Sequence, residues 1–288
     1  MKEYTRTDLA LEKRQYKTES DEIVVCREER VKNAFVTELC FGKNAENGRY
    51  VTISAERLWE FEGEDRDSIS TLIALEVRRL CKSAAGKNID KNFGVLVAGL
   101  GNSDITADAI GPLTVKNLTV TRHLKDIEPK IYNYLGSCEI SAFSPGVLGQ
   151  TGIETVELIR GAAENSEPDV IIAVDALAAR GCERIATVVQ LSDNGISPGS
   201  GIGNTRKAIN KETLGIPVIS IGVPTVVDSS TLVYEALRKA EIDKIDSSLE
   251  NVLKNGRGYF VTPKECDMIS KKIASLLSDS ISRAFNVF

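Results

Sequence analysis

The stretch FGVLVAGLGNSDITADAIGP, residues 93–112, decides the fold. Its first eight residues are a near-continuous apolar run, as expected of a strand covered on both faces. The run breaks into two acids, hydroxyls and an asparagine. A helix is predicted next, over ADAIGPLTVKNLTVTRHL (107–124), with Thr106 as its N-cap. Pro112 falls near the first turn, where a missing N–H costs least. A polar loop between a buried strand and a helix is where an α/β protein places a phosphate cradle or a catalytic acid.

The pattern repeats outward from this point. DVIIAVDAL (169–177), RIATVVQLSD (184–193) and IPVISIGV (216–223) read as strands. TGIETVELIRGAAENS (151–166), DSSTLVYEALRKAE (228–241) and TPKECDMISKKIASLLSDSISRAF (262–285) read as helices. In the last, Thr262 and Glu265 have capping-box spacing. On the N-terminal side, DSISTLIALEVRRLCKSA (67–84) has helical apolar periodicity with Asp67 at its start. Before it, EIVVC, NAFVTELCF and RYVTISAERLW, the last preceded by the turn-forming NAENG, make residues 23–60 rich in β-structure. Residues 1–22 read as a loose charged arm. Strand–helix alternation over roughly 93–240 predicts an α/β fold: a mostly parallel, doubly wound sheet sandwiched by helices, with a β-rich N-terminal addition.

Bulk properties narrow the function. The chain has 288 residues, 42% hydrophobic and 27% charged, with a net charge of −5. That balance argues against a broad electrostatic grip on nucleic acid. No apolar run is long enough to span a membrane, and the start is no secretory signal. Six scattered cysteines without a C-x-x-C pair read as reduced thiols, mostly packing residues. A single histidine, His123, leaves no set for a histidine-based zinc site.

Two acids stand out. Asp175 follows the run VIIAV, and Asp108 opens the helix after VLVAGLG. An ionised carboxylate at the end of an apolar strand loses hydration and needs compensation. Two such acids brought together would share a proton, giving one acid and one base for amide hydrolysis by water. The plainer alternatives are a first-turn acid facing the helix dipole for Asp108 and a helix cap for Asp175. GISPG (195–199) has the G-x-S-x-G spacing, but Pro198 follows the serine and has no N–H for an oxyanion hole. GSGIGN (199–204) meets neither dinucleotide nor P-loop spacing and reads as a flexible or substrate-covering loop. Arg206 and Lys207 after it could receive acidic substrate side chains. His123 could be a base, or simply serve a helix C-terminus. TRTDLALE (5–12) reads either as a helix start or as an exposed, cleavable terminal segment.

These stretches together resemble one family. RTDLALE, GLGNSDITADAIGP, VTRHL, SPGVLGQTGIET, DVIIAVDALAAR, SDNGISPGSGIGN, TLGIPVISIGVPTVVD and VTPKECDMI follow the order found in the germination proteases of spore-forming bacteria. Those endopeptidases degrade small acid-soluble spore proteins. The resemblance implies a zymogen that removes its own N-terminal propeptide, here residues 1–8 with cleavage between Asp8 and Leu9. It leaves residues 9–288 as one α/β peptidase domain, similar in fold to hydrogenase-maturation endopeptidases. It implies catalysis by Asp108 and Asp175 without metal or other cofactor. It also implies a homotetramer in the cytoplasm of the forespore or spore core, and the retained arm suggests the precursor form. One departure is the short segment between Asp228 and Val261, which puts any subunit contact built there in question. A nucleoside- or phosphate-binding hydrolase on a similar sandwich is the alternative, and it would need a P-loop or basic clamp that the chain lacks. A non-catalytic binding module would tolerate loss of both acids.

Overall fold

The computed structural model describes residues 6–14, 23–42, 48–199, 206–242, 246–255 and 258–287. The turn around 43–47 and the glycine-rich 200–205 lie outside the described residues, as do 1–5 and 15–22 of the arm.

The strands are β1 (Ile23–Val31), β2 (Ala34–Phe41), β3 (Arg49–Ser54), β4 (Gly94–Gly99), β5 (Glu139–Phe143), β6 (Val170–Ala179), β7 (Val188–Ser192), β8 (Val218–Asp228) and β9 (Phe260–Val261). They join one sheet in the order β1-β2-β3-β7-β8-β6-β4-β5, with β9 paired to β8. Only β5, β4, β6 and β8 run parallel to one another. Within 93–240 the pairing is parallel except for β7 against β8, as expected of a mostly parallel sheet, and the N-terminal addition makes the whole sheet mixed. The β-rich N-terminal addition is fused to it, because β3 pairs antiparallel with β7, and β7 with β8.

The main helices are α1 (Gly63–Ala85), α2 (Ile110–Asn117), α3 (Thr155–Ser166), α4 (Ser229–Lys239), α5 (Ser247–Asn255) and α6 (Cys266–Ala284). Alternate residues of the parallel strands bury on opposite faces. Val95, Val97, Val170, Ile172 and Val174 pack with Ile73, Val77, Ile110, Ile273 and Leu277 of α1, α2 and α6. Leu96, Ala98, Ile171 and Ala173 pack with Val156, Ile159 and Ala163 of α3. Coverage on both faces explains why these strands read as unbroken apolar runs.

Several local expectations change. The helix predicted over 107–124 is only α2. After Asn117 the β-branched LTVT segment turns extended, and Thr121 docks on the edge of the sheet. Its backbone N–H donates to Ile140 O, its hydroxyl donates to Cys138 O, and that hydroxyl accepts the Ile140 N–H. These contacts beat a weak helix propensity. Thr106 is not an N-cap, because a 3-10 turn at Thr106–Asp108 intervenes and Ala109 precedes α2. Thr262 and Glu265 form no capping box: the Thr262 hydroxyl donates to Thr225 O at 3.0 Å, and Glu265 itself precedes α6. Helix α1 begins at Gly63, ahead of Asp67. Cys26 and Cys40 are joined as a disulfide, against the reading of all six cysteines as reduced. A bulge in β1 between Val25 and Arg27 brings Cys26 beside Cys40, Cα to Cα 6.1 Å. Cys81, Cys138 and Cys266 are free and buried, and Cys182 is free and exposed.

One cap does hold. Asp228 closes β8 and accepts the Thr231 N–H at 3.0 Å, starting α4. Asp228→Ala should lower stability by about 1 kcal/mol, the usual loss for a helix N-cap. A urea titration with unchanged slope and a lower midpoint is the expected record.

Candidate active site

Ligands in open α/β sheets sit beyond the carboxyl ends of the strands, where successive connections diverge. Here β4 connects outward to β5, whereas β6 leads the other way to β7, beyond its neighbour β8. The crevice between β4 and β6 is that point, and both acids are there.

Three glycines let the backbones close in. A Cβ on Gly99 would lie 2.3 Å from Gly111 O, and one on Gly111 would lie 2.2 Å from Leu100 O and 2.5 Å from Val174 O. Gly101 has φ +111°, and a Cβ there would meet Asp108 O at 2.1 Å. Helix α2 is thereby drawn against the ends of β4 and β6, and Leu100 N–H donates to Val174 O at 2.8 Å. The loop is fixed by Asp108, whose Oδ2 accepts the Asn102 N–H at 2.7 Å. Thr225 Oγ1 donates to Ala107 O at 2.6 Å, and Ser270 Oγ donates to Thr106 O at 3.2 Å. The turn carrying Asp108 is thus tied to β8 and α6.

Asp175 is 5% exposed and does not end its strand, because β6 continues to Ala179. Its carboxyl is raised well above the ordinary range, first by burial, then by the charges of Asp108 and Asp8, against one opposing Ala176 N–H. Asp108 is raised by burial, partly offset by the Asn102 N–H. The environments are unequal, with Asp175 the better proton holder, as an acid–base pair requires.

A cleft of about 300 Å³ is lined by Asp8, Asp108, Asp175, Arg206, Thr225 and Phe260, among others. Arg206 faces this cleft, whereas Lys207 turns away and pairs with Glu157 of α3 at 3.3 Å. Phe260 comes from the short segment after Asp228, which returns the chain as β9. His123 is exposed, in a turn ahead of residues 124–127, and does not line the cleft. Among the described residues, no group of three or more His, Cys, Asp or Glu is placed to hold a metal ion.

The described part of the arm is not loose. Leu9 and Ala10 are each 2% exposed. Asp8 N–H donates to Ala178 O, and its Oδ2 accepts the Ala178 N–H, both at 2.9 Å. Glu12 is buried, accepting the Arg180 N–H at 2.9 Å and the Gly181 N–H at 3.4 Å, with the Thr7 hydroxyl also bound to it. Gln190 of β7 contacts the chain on both sides of Leu9.

A family profile described as germination protease matches residues 5–240. The chain belongs to the germination protease family. It is an endopeptidase. Germination proteases similar to it include one from Caldanaerobacter subterraneus subsp. tengcongensis, 39% identical over 97% of this chain and 93% of that protein. One from Clostridium perfringens strain 13 is 38% identical over 97% and 94%. One from Bacillus subtilis strain 168 is 48% identical over 66% of this chain and 50% of that protein. A solved NiFe hydrogenase maturation protease, HycI from Thermococcus kodakarensis KOD1, has a TM-score of 0.35 and 17% identity over 67% of this chain and 94% of that one.

Within this germination protease fold, sequence reasoning picked out Asp8, Asp108, Asp175 and Arg206, all on one cleft. It missed Gln190, Thr225, Phe260 and Glu12. Gln190 did leave a signal, a long polar side chain within the apolar run TVVQL.

Proposed function

We propose that this endopeptidase is made as a zymogen that cuts its own chain between Asp8 and Leu9. The reading makes residues 1–8 a propeptide and 9–288 the peptidase domain. The observation that carries it is the meeting of Asp8, Asp108 and Asp175 on one cleft, with the chain on either side of Leu9 pinned to β6 and β7.

The carboxyls divide the work. Asp108, ionised, takes a proton from a water as the water oxygen adds to the Asp8 carbonyl carbon. Asp175 keeps its proton because burial and two nearby carboxylates disfavour its charge. It gives that proton to the Leu9 nitrogen as the C–N bond breaks. The Asp8 carboxyl and the Leu9 amine are the products. Arg206, on the same cleft, is assigned to acidic substrate side chains. Lys207, paired with Glu157, is not.

The processed enzyme would then act on small acid-soluble spore proteins. Chains that are disordered when free can take up the shape a cleft demands without first unfolding. No helix among the described residues is long and apolar enough to cross a membrane. We place the enzyme in the forespore and spore core, as a homotetramer without direct nucleic-acid contact, which a native mass measurement tests.

The test of processing is intact mass after incubation in mildly acidic buffer. Wild type should lose its first eight residues, whereas Asp108→Asn stays full length for at least a hundredfold longer, the usual size of one acid–base contribution. Processing of Asp108→Asn at the wild-type rate removes Asp108 from the mechanism.

A further inference from the structure

We propose that Gln190 is a catalytic residue that holds the carbonyl of the cleaved bond and stabilises the negative charge that forms on its oxygen. The inference rests on Asp8–Leu9 being that bond.

Gln190 is 7% exposed on β7. Its Nε2 donates to Asp8 O at 3.3 Å, and its Oε1 accepts the Ala10 N–H at 2.7 Å. The Ala10 N–H can meet only an oxygen, so the orientation of the carboxamide follows from its partners. The carboxamide thus spans the Leu9 residue through main-chain groups alone. Such contacts fix where the main chain lies, here just ahead of the short helical turn that begins at Ala10, without demanding any particular side chain from it.

The sheet register places Gln190 for this task. Gln190 pairs with Gly222, and Gly222 pairs with Asp175. The two side chains therefore occupy one row and one face of the sheet, two strands apart, about 10 Å by ordinary strand spacing. Gly222 contributes no side chain of its own, and the Leu177 side chain lies over it. Gln190, Asp175, Asp8 and Ser220 line one cavity of about 200 Å³. The carbonyl that Gln190 holds and the Asp175 carboxyl thus border the same cavity.

The chemistry follows from where charge develops. When water adds to the carbonyl carbon, the oxygen becomes an oxyanion. A fixed N–H donor already aimed at it, in a site shielded from water, lowers that barrier without reorganising. No proton leaves Gln190, so the balance of the acid–base steps is unchanged. Asp108 and Asp175 cannot take this role, because one must be ionised and the other spends its proton on the leaving amine.

The test uses the full chain and a peptide spanning residues 3–14, with intact mass for self-cleavage and steady-state kinetics for the peptide. Gln190→Leu should slow both reactions about 10²–10³-fold, as loss of one oxyanion donor does. For the peptide the loss should fall mainly on kcat. Gln190→Glu keeps the shape and replaces the donor with an acceptor. It should be as slow at neutral pH and recover part of the rate on acidification, when the introduced carboxyl gains a hydrogen to donate. A purely structural role would move melting temperature and KM and give no such rescue. Should Gln190→Leu misfold, the pH profile of Gln190→Glu decides alone. Wild type cut at Asp8–Leu9, with folded variants equally fast and no acid rescue, overturns the role of Gln190. Wild type cut at a different bond overturns the reading beneath it, and mass spectrometry of the products tells the two failures apart.

Discussion

Asp175→Asn yields a chain that stays full length and melts higher than wild type at neutral pH. Both outcomes come from one cause. Asp175 is buried in β6 and faces the charges of Asp108 and Asp8, which raise its pKa well above the ordinary carboxyl value. In the unfolded chain the same group titrates near its usual value. A group whose folded pKa is raised binds its proton more tightly in the native state. Its contribution to stability is fully present below the unfolded pKa and is lost as pH rises through the folded one. Wild type therefore loses stability from mildly acidic pH upward. An asparagine has nothing to lose there and still accepts the Ala176 N–H made by Asp175 Oδ1 at 3.0 Å. The melting difference should widen between pH 5 and pH 8, the variant being the more stable. Calorimetry at the two pH values, with intact mass of the same samples, measures both arms. Equal melting temperatures at pH 8, or processing at the wild-type rate, would remove Asp175 from its assigned place. An active site that costs stability is a common trade, and here the cost sits on one carboxyl.

The same carboxyl shows why part of the site could be read from the sequence. An apolar strand running into an acid is a local pattern, visible in VIIAVD, and an apolar strand followed by a helix-opening acid is visible in VLVAGLGNSDITAD. The strand–helix alternation follows from the apolar patterning, and the two candidate acids from where the apolar runs end. What stayed hidden is what only packing supplies. The early end of α2 depends on Thr121 finding the edge of β5, a contact between segments some twenty residues apart. The Cys26–Cys40 bond depends on a bulge in β1. The arm read as loose and charged because charge surrounds it, yet Leu9 enters the core and Glu12 finds backbone donors at Arg180 and Gly181. The mixed character of the sheet was unreadable for a related reason. The apolar run of β7 is the same whether its neighbours run parallel or antiparallel, and only its pairing with β3 and β8 fixes the direction.

Gly111→Ala should be among the most damaging single-methyl changes available in this chain. On helix propensity alone the substitution is favourable, by up to about 1 kcal/mol in a helix interior. Packing decides against it. The added Cβ would lie 2.2 Å from Leu100 O, 2.5 Å from Leu100 N and 2.5 Å from Val174 O. All three are backbone atoms, so no rotamer change makes room, and α2 must retreat from the sheet. The hydrogen bond from Leu100 N–H to Val174 O lies in the path of that retreat. We expect a loss of about 3 kcal/mol, the upper end for overpacking a core. Self-cleavage should fall more steeply than stability, because Leu100 leads to the Asp108 loop and Val174 precedes Asp175. A small displacement there separates the two carboxyls before it unfolds the protein. Gly161→Ala is the matched control, a helix interior glycine of α3 with nothing within 4 Å of the new Cβ. It should gain a little stability and process normally. Urea titration and intact mass on the pair separate propensity from packing. If Gly111→Ala proves as stable and as active as Gly161→Ala, the close approach of α2 to β4 and β6 is not what sets Asp108 against Asp175, and the pairing must be maintained by the Thr225 and Ser270 contacts to the Asp108 turn instead.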